Sequence, residues 1–194
     1  MTTHKAISLL ILLFAPVFVF SAAAVQAATE QKYIRTVENY VVPDVTLVNQ
    51  NGLKVRLRTL LSSDKPVLVD FIFTTCTTIC PVLSANFSNF QRKLGPESSK
   101  VQLVSISIDP EHDTPEAMKS YLENRYAAKP GWDFLTGSKK DIDLVIKAFD
   151  AYSQNKMAHL PLILLRSMTD NRWIRIYGLI GTAELIREYQ KALK

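Results

Sequence analysis

Seven residues, Val67-Leu68-Val69-Asp70-Phe71-Ile72-Phe73, apolar except for one aspartate, run directly into Thr74-Thr75-Cys76-Thr77-Thr78-Ile79-Cys80-Pro81. The β-branched and aromatic run predicts a strand buried on both faces. Pro81 fits the first turn of a following helix, whose apolar residues Leu83, Phe87, Phe90 and Leu94 recur at helical spacing up to a Gly95-Pro96 stop. A strand that passes through a cysteine loop into a helix requires a sheet with helices packed on its faces, because neither element buries its apolar side alone.

The rest of the chain supplies the other elements. Residues 45–48 and 54–57 flank Asn49-Gln50-Asn51-Gly52, a hairpin signal. Residues 101–108 predict a second central strand. Thr114-Pro115-Glu116 caps a helix carrying Met118, Tyr121 and Leu122, and Ser138 with Asp141 opens another with Ile142, Val145, Ile146 and Phe149 on one face. Residues 162–165 and 173–177 predict an antiparallel hairpin around Asp170-Asn171, and Thr182 caps a last helix. The order is a hairpin, then β-α-β-α with an extra helix, then β-β-α. It calls for an α/β, thioredoxin-like fold: a mixed central sheet flanked by helices, with an N-terminal β-hairpin.

Ahead of this domain, residues 1–5 carry one cation, Lys5, and residues 6–20 are almost unbroken apolar sequence. Ala22-Ala23-Ala24-Val25-Gln26-Ala27 places small residues where a signal peptidase reads, so residues 1–27 are expected to be a signal peptide cleaved after Ala27. Residues 6–25 are also just long enough to span a bilayer, which leaves an uncleaved anchor as the alternative. Both put the domain outside the cytoplasm, periplasmic or anchored to the outer face of the inner membrane. Residues 28–41 read as a linker and residues 42–194 as one domain. A 47% hydrophobic content excludes disorder, and the net charge of +5 is scattered, without the clustered basic residues of a nucleic-acid surface.

The chain has two cysteines, Cys76 and Cys80. A disulfide between such near neighbours would remove little unfolded-chain entropy, so chemistry explains the pair better than stapling. Cys76 leaves a strand and Cys80 sits at a helix N-terminus, where free amides and the helix dipole favour thiolate. Four-residue spacing lets the two sulfurs chelate one soft ion or close as a disulfide. Helix position favours Cys80 as the more acidic thiol and loop exposure favours Cys76. Imidazole is the natural third ligand, and the chain has three histidines. His4 lies in the leader. His112 reads as an exposed turn residue. His159 precedes Leu160-Pro161 and a strand, in the loop that passes over the redox site of a thioredoxin-like sheet, and is the candidate ligand; Met157 reads as packing. Asp70, six residues before Cys76, reads either as a buried carboxylate able to relay a thiol proton or as an aspartate at a solvated edge or bonded to backbone. The carboxylates of residues 109–113 read as turn and cap residues. A peroxidase would want Thr three and Pro seven residues before its cysteine, where Phe73 and Val69 stand.

Residues 69–81 resemble the signature of the Sco/SenC family of copper-binding assembly factors for cytochrome c oxidase. Ser107-Ile108-Asp109-Pro110-Glu111-His112-Asp113-Thr114-Pro115-Glu116 is similar to that family's second signature, and Met157-Ala158-His159 falls where its copper-binding histidine is expected. The resemblance runs from about residue 45 to the C-terminus. It implies a thioredoxin-like domain holding one Cu(I) or Cu(II) ion through Cys76, Cys80 and His159. It implies delivery of copper to, or reduction of the cysteines of, the dinuclear copper centre of oxidase subunit II. A second periplasmic copper chaperone or a thiol reductant would be a further partner. Two positions depart from the family: Ala158 stands where many members have Asp, and Asp70 where many have Asn or another residue. An aspartate six residues before the first cysteine is also the arrangement of thioredoxin, so a thiol-disulfide oxidoreductase using Cys76 and Cys80 without obligatory copper is the alternative.

Overall fold

Val67–Ile72 forms a fully buried strand at the centre of the sheet, as its apolar run predicts. The computed structural model describes residues 33–126 and 130–194; the leader expected at residues 1–27 lies outside the described residues. In chain order the strands are β1 (Tyr33–Glu38), β2 (Thr46–Asn49), β3 (Lys54–Arg56), β4 (Val67–Ile72), β5 (Gln102–Ser107), β6 (Trp132–Thr136), β7 (Leu162–Arg166) and β8 (Trp173–Gly178). The α-helices are α1 (Leu57–Leu61), α2 (Ile79–Leu94), α3 (Pro115–Arg125), α4 (Lys139–Ala148) and α5 (Thr182–Ala192). Among the described residues the strands make one eight-stranded sheet in the order β1-β8-β7-β4-β5-β6-β2-β3. β4, β5 and β6 pair in parallel and the other pairs are antiparallel, so the sheet is mixed as expected.

Alternation along β4 splits the core into two layers. Leu68 and Ile72 face Leu83, Phe87 and Phe90 of α2, Met118 and Tyr121 of α3, and Leu185 and Tyr189 of α5. Val67, Val69 and Phe71 face Leu57 and Leu61 of α1 and Ile142, Val145 and Ile146 of α4. Asp70 therefore shares the side of Leu68 and Ile72, over which α2 packs.

Three elements differ from the sequence expectation. Tyr33–Glu38, inside the stretch read as a linker, is an edge strand in register with β8 from Tyr33↔Gly178 to Glu38↔Trp173. It is mostly exposed and is fastened by Arg35, whose Nε donates to Oε2 of the buried Glu188 on α5 at 2.7 Å. Trp132–Thr136 adds a third parallel strand beside β5 that the expected order lacked. At α5 the N-cap is Gly181, and the Thr182 hydroxyl donates to Asn86 Oδ1 at 2.7 Å instead of capping. The Asn49–Gly52 hairpin forms, with Gly52 at φ +76°, and Thr114 and Ser138 cap α3 and α4 through the amides of Ala117 and Asp141. Among the described residues no helix is long and apolar enough to cross a membrane.

Candidate metal centre

The parallel pair β4 and β5 delivers two loops to one end of the sheet. In the first, the Cys76 amide donates to the Phe73 carbonyl at 3.1 Å, turning the chain so that Cys80 enters α2 at its second residue. In the second, the carboxylate of Asp113 is fully buried and ties the loops together. It accepts from the Thr74 amide at 3.1 Å, the Thr74 hydroxyl at 2.5 Å and the Ser107 hydroxyl at 2.5 Å. Removing it strands buried donors at the mouth of the cysteine loop. Asp113→Ala is expected to lower the unfolding free energy by about 3 kcal/mol, read by urea denaturation; unchanged stability would show that the loop does not depend on this carboxylate.

Both thiols are free and buried. They are electrostatically unlike. Burial alone would raise the Cys76 pKa, but hydrogen bonds from the Cys80 amide, the Thr78 hydroxyl at 3.6 Å, the Cys80 thiol and the Thr78 amide outweigh it and bring the pKa down to about 7. Cys80 moves the other way, upward, because burial penalises its thiolate and Cys76 and Asp70 add negative charge nearby. The helix N-terminus thus serves the cysteine that precedes it: the amides of α2 point at Cys76, while the Cys80 sulfur is turned into the core.

His159 comes in from the turn before β7. It is 8% exposed, and Nε2 stands 4.0 Å from Cys80 Sγ and 3.2 Å from the Phe71 carbonyl. Nδ1 stands 3.2 Å from the Lys156 carbonyl. Burial lowers its pKa against these two carbonyls, so the ring is neutral at physiological pH. A neutral imidazole carries one N–H. One tautomer donates Nε2–H to the Phe71 carbonyl; the other donates Nδ1–H to the Lys156 carbonyl and leaves the Nε2 lone pair free for an ion held beside Cys80. His159 also lines a cavity of about 220 Å³ with Tyr152, Arg175 and Tyr177.

Asp70 is buried and neither carboxylate oxygen has a hydrogen-bond partner of good geometry. Burial raises its pKa to about 7, with the Ser105 hydroxyl across the ladder on β5 only partly opposing. The solvated-edge reading of Asp70 is thereby excluded. His112 is exposed, as its turn position suggests, and bonds Asp109 Oδ1 through Nδ1 at 3.0 Å. Met157 is 61% exposed and does not pack. No sequence signal marks Lys156, yet its ammonium pairs with Asp109 and lies 5.4 Å from the centre of the Phe73 ring.

Cys80 is the hub of this arrangement, in contact with Cys76 on one side and His159 on the other. Among the described residues, no three His, Cys, Asp or Glu side chains are gathered closely enough to cage an ion as they stand. The donor types nevertheless suit a soft, thiophilic ion: two sulfurs, one acidified, beside a neutral imidazole.

The family model described as SCO1/SenC matches residues 35–163. The SCO1 protein homolog of Bacillus subtilis is 41% identical over 115 residues, covering 58% of this chain and 58% of that protein. Protein SenC of Rhodobacter capsulatus is 31% identical over 107 residues, 55% of this chain and 46% of that protein. The matches thus span about half the length of these relatives. Among solved structures, BsSco, described as a Sco-family cytochrome c oxidase assembly protein with a disulfide switch, superposes with a TM-score of 0.67 at 32% identity over 83% of this chain and 99% of its own. Bradyrhizobium japonicum ScoI with copper bound superposes with a TM-score of 0.65 at 29% identity over 79% and 99%. The family model covers more than half of the chain and the fold agrees with the solved relatives, so the chain belongs to the SCO1/SenC family.

Proposed function

We propose that this chain is an exported copper metallochaperone. It takes one copper ion as cargo on Cys76, Cys80 and His159 and passes it to the dinuclear copper centre of cytochrome c oxidase subunit II. The observation that carries the reading is the meeting of His159 Nε2 and Cys80 Sγ at 4.0 Å across 79 residues of sequence. Copper is bound in the ScoI relative, and BsSco is an oxidase assembly protein, which supports carrying both properties over. Cys76 offers thiolate near neutral pH; Cys80 loses its proton when the ion arrives, so uptake releases protons. His159 contributes its Nε2 lone pair while the Lys156 carbonyl holds Nδ1–H. Residues 1–27 export the domain as a signal peptide or anchor, and the copper-carrying domain includes β1, Tyr33–Glu38, from within the stretch expected to be a linker. A Bacillus anthracis relative at 26% identity is described as a SCO1/SenC family lipoprotein, which supports a membrane-side location.

Anaerobic copper titration of the reduced domain, with X-ray absorption at the metal, tests the assignment. The expected result is one tightly held copper with two sulfurs and one nitrogen, lost in His159→Ala. Copper held with unchanged affinity and ligands in His159→Ala would overturn it.

The acidic Cys76 beside an unreactive Cys80 supports a second reading, thiol-disulfide exchange. Cys76 thiolate attacks a target disulfide and displaces one target thiolate. Cys80 then loses its proton, with Asp70 as acceptor, and attacks Cys76 of the mixed disulfide. The target leaves as a dithiol and the chain keeps a Cys76–Cys80 disulfide. Copper and the disulfide compete for the same sulfurs.

A further inference from the structure

The turn carrying His159 has few contacts to hold it. Lys156–Ala158 is a single 3₁₀ turn whose start is capped by Asn155, which accepts from the Met157 amide at 2.9 Å. Met157 and Leu160 are 61% and 55% exposed, and Ala158 has no polar side chain. Within the turn the Ala158 amide donates to the Asn155 carbonyl at 2.9 Å, and the His159 ring reaches the Phe71 carbonyl at 3.2 Å; among the described residues the side-chain charge that ties the turn to a neighbouring loop is that of Lys156. Its ammonium pairs with Asp109 Oδ2 and lies over the Phe73 ring, and Phe73 meets the His159 ring edgewise at 5.7 Å between centroids. Its carbonyl faces both His159 Nδ1 at 3.2 Å and the His159 amide at 3.3 Å.

Asp109 is a fixed anchor for this tie. It is 7% exposed, its amide donates to Ser107 Oγ at 3.0 Å, and its other carboxylate oxygen bonds His112 Nδ1 at 3.0 Å. Its carbonyl also receives the amides of His112 and Asp113.

We propose that Lys156 is a positioning residue. Its ion pair with Asp109 pins the turn whose carbonyl orients the His159 ring, and so aims Nε2 at Cys80. The benefit to copper binding rests on the metallochaperone reading; the positioning itself does not. An ion pair with a half-exposed lysine adds little to global stability. Its effect is local, because no other side-chain charge reaches from this turn to the β5–α3 loop among the contacts of the described residues.

The test uses reduced, metal-free protein. Backbone ¹⁵N relaxation over residues 155–160 and the ring-nitrogen shifts of His159 are compared in wild type, Lys156→Met, Lys156→Arg, Asp109→Asn and the Lys156→Met/Asp109→Asn double variant. Lys156→Met keeps the apolar stem over Phe73. It is expected to drop order parameters of this turn from about 0.85 to below about 0.6 and to average the two ring-nitrogen shifts, with the melting temperature unchanged. Lys156→Arg restores both signals, and the double variant is no looser than either single one. In copper titrations, Lys156→Met raises the dissociation constant about tenfold, and Lys156→Arg brings it back. Unchanged order and ring shifts in Lys156→Met would overturn the proposal, as would additive loosening in the double variant. Should Asp109→Asn unfold, Lys156→Met against Lys156→Arg decides alone. Wild-type protein that fails to bind copper would remove the metallochaperone reading and leave the relaxation result to judge the positioning role.

Discussion

Asp70→Asn is expected to stabilise the protein above neutral pH and to leave it nearly unchanged near pH 4. In the fold Asp70 titrates near 7, against its ordinary 3.8, because burial penalises the carboxylate and neither oxygen finds a good partner. The native state therefore holds this proton more tightly than the unfolded chain does. Raising pH from about 4 to about 7 draws the proton from the unfolded chain first and favours unfolding. The contribution is intact below the unfolded pKa and lost as pH passes the folded one, a change on the order of 4 kcal/mol. Urea unfolding of wild type and Asp70→Asn at pH 4.5 and pH 8 measures it as the difference between the two proteins. A difference that does not grow with pH would mean that the charged carboxylate gains a partner on ionisation. Keeping so costly a group on the α2 side of the central strand makes sense if Asp70 takes a proton from Cys80, whose own pKa its charge raises.

How much of this was legible in the sequence depends on how far each signal reaches along the chain. β4, α2 and β5 were legible because their apolar periodicity and their Pro and Gly punctuation are local and strong. β1 was not: Tyr33–Glu38 is exposed along most of its length, and what holds it as a strand is distant in sequence, namely pairing with β8, the packing of Tyr33 on the core and the bonds of Tyr33 and Arg35 to Glu188. β6 is five residues with no flanking run to distinguish it, and its parallel partner β5 is distant in sequence. The cysteine pair was legible from spacing, and His159 from its position before a strand expected beside the site. Asp109 and Asp113 look like turn and cap residues in the sequence, since nothing local separates those roles from a carboxylate that crosses to another loop. Closure of the fold gives Asp113 to Thr74 and Asp109 to Lys156. The acidity of the two thiols was equally beyond sequence reasoning, because it depends on which sulfur the first amides of α2 face.

Titrating the reduced protein by thiolate absorption near 240 nm is expected to show a first proton leaving near pH 7, with no second step in the accessible alkaline range. Two coupled thiols titrate as a pair, so the variants make the assignment. Cys76→Ser should lose the step near pH 7 and leave a thiol titrating above the ordinary 9.0, because Cys80 remains buried next to Asp70. Cys80→Ser should keep an acidic Cys76, since the Thr78 hydroxyl, the Thr78 amide and the amide of residue 80 still point at its sulfur. At pH 6 a thiol of pKa near 7 is about one-tenth thiolate and an ordinary thiol about one-thousandth, so Cys76 holds about a hundredfold more of the reactive form. A low step that survives in Cys76→Ser would reverse the roles and make Cys80 the attacking thiol. The asymmetry serves both readings in the same way. Cys76 stands ready as thiolate to capture copper or attack a disulfide, and Cys80 keeps its proton until a metal ion or the mixed disulfide requires its sulfur.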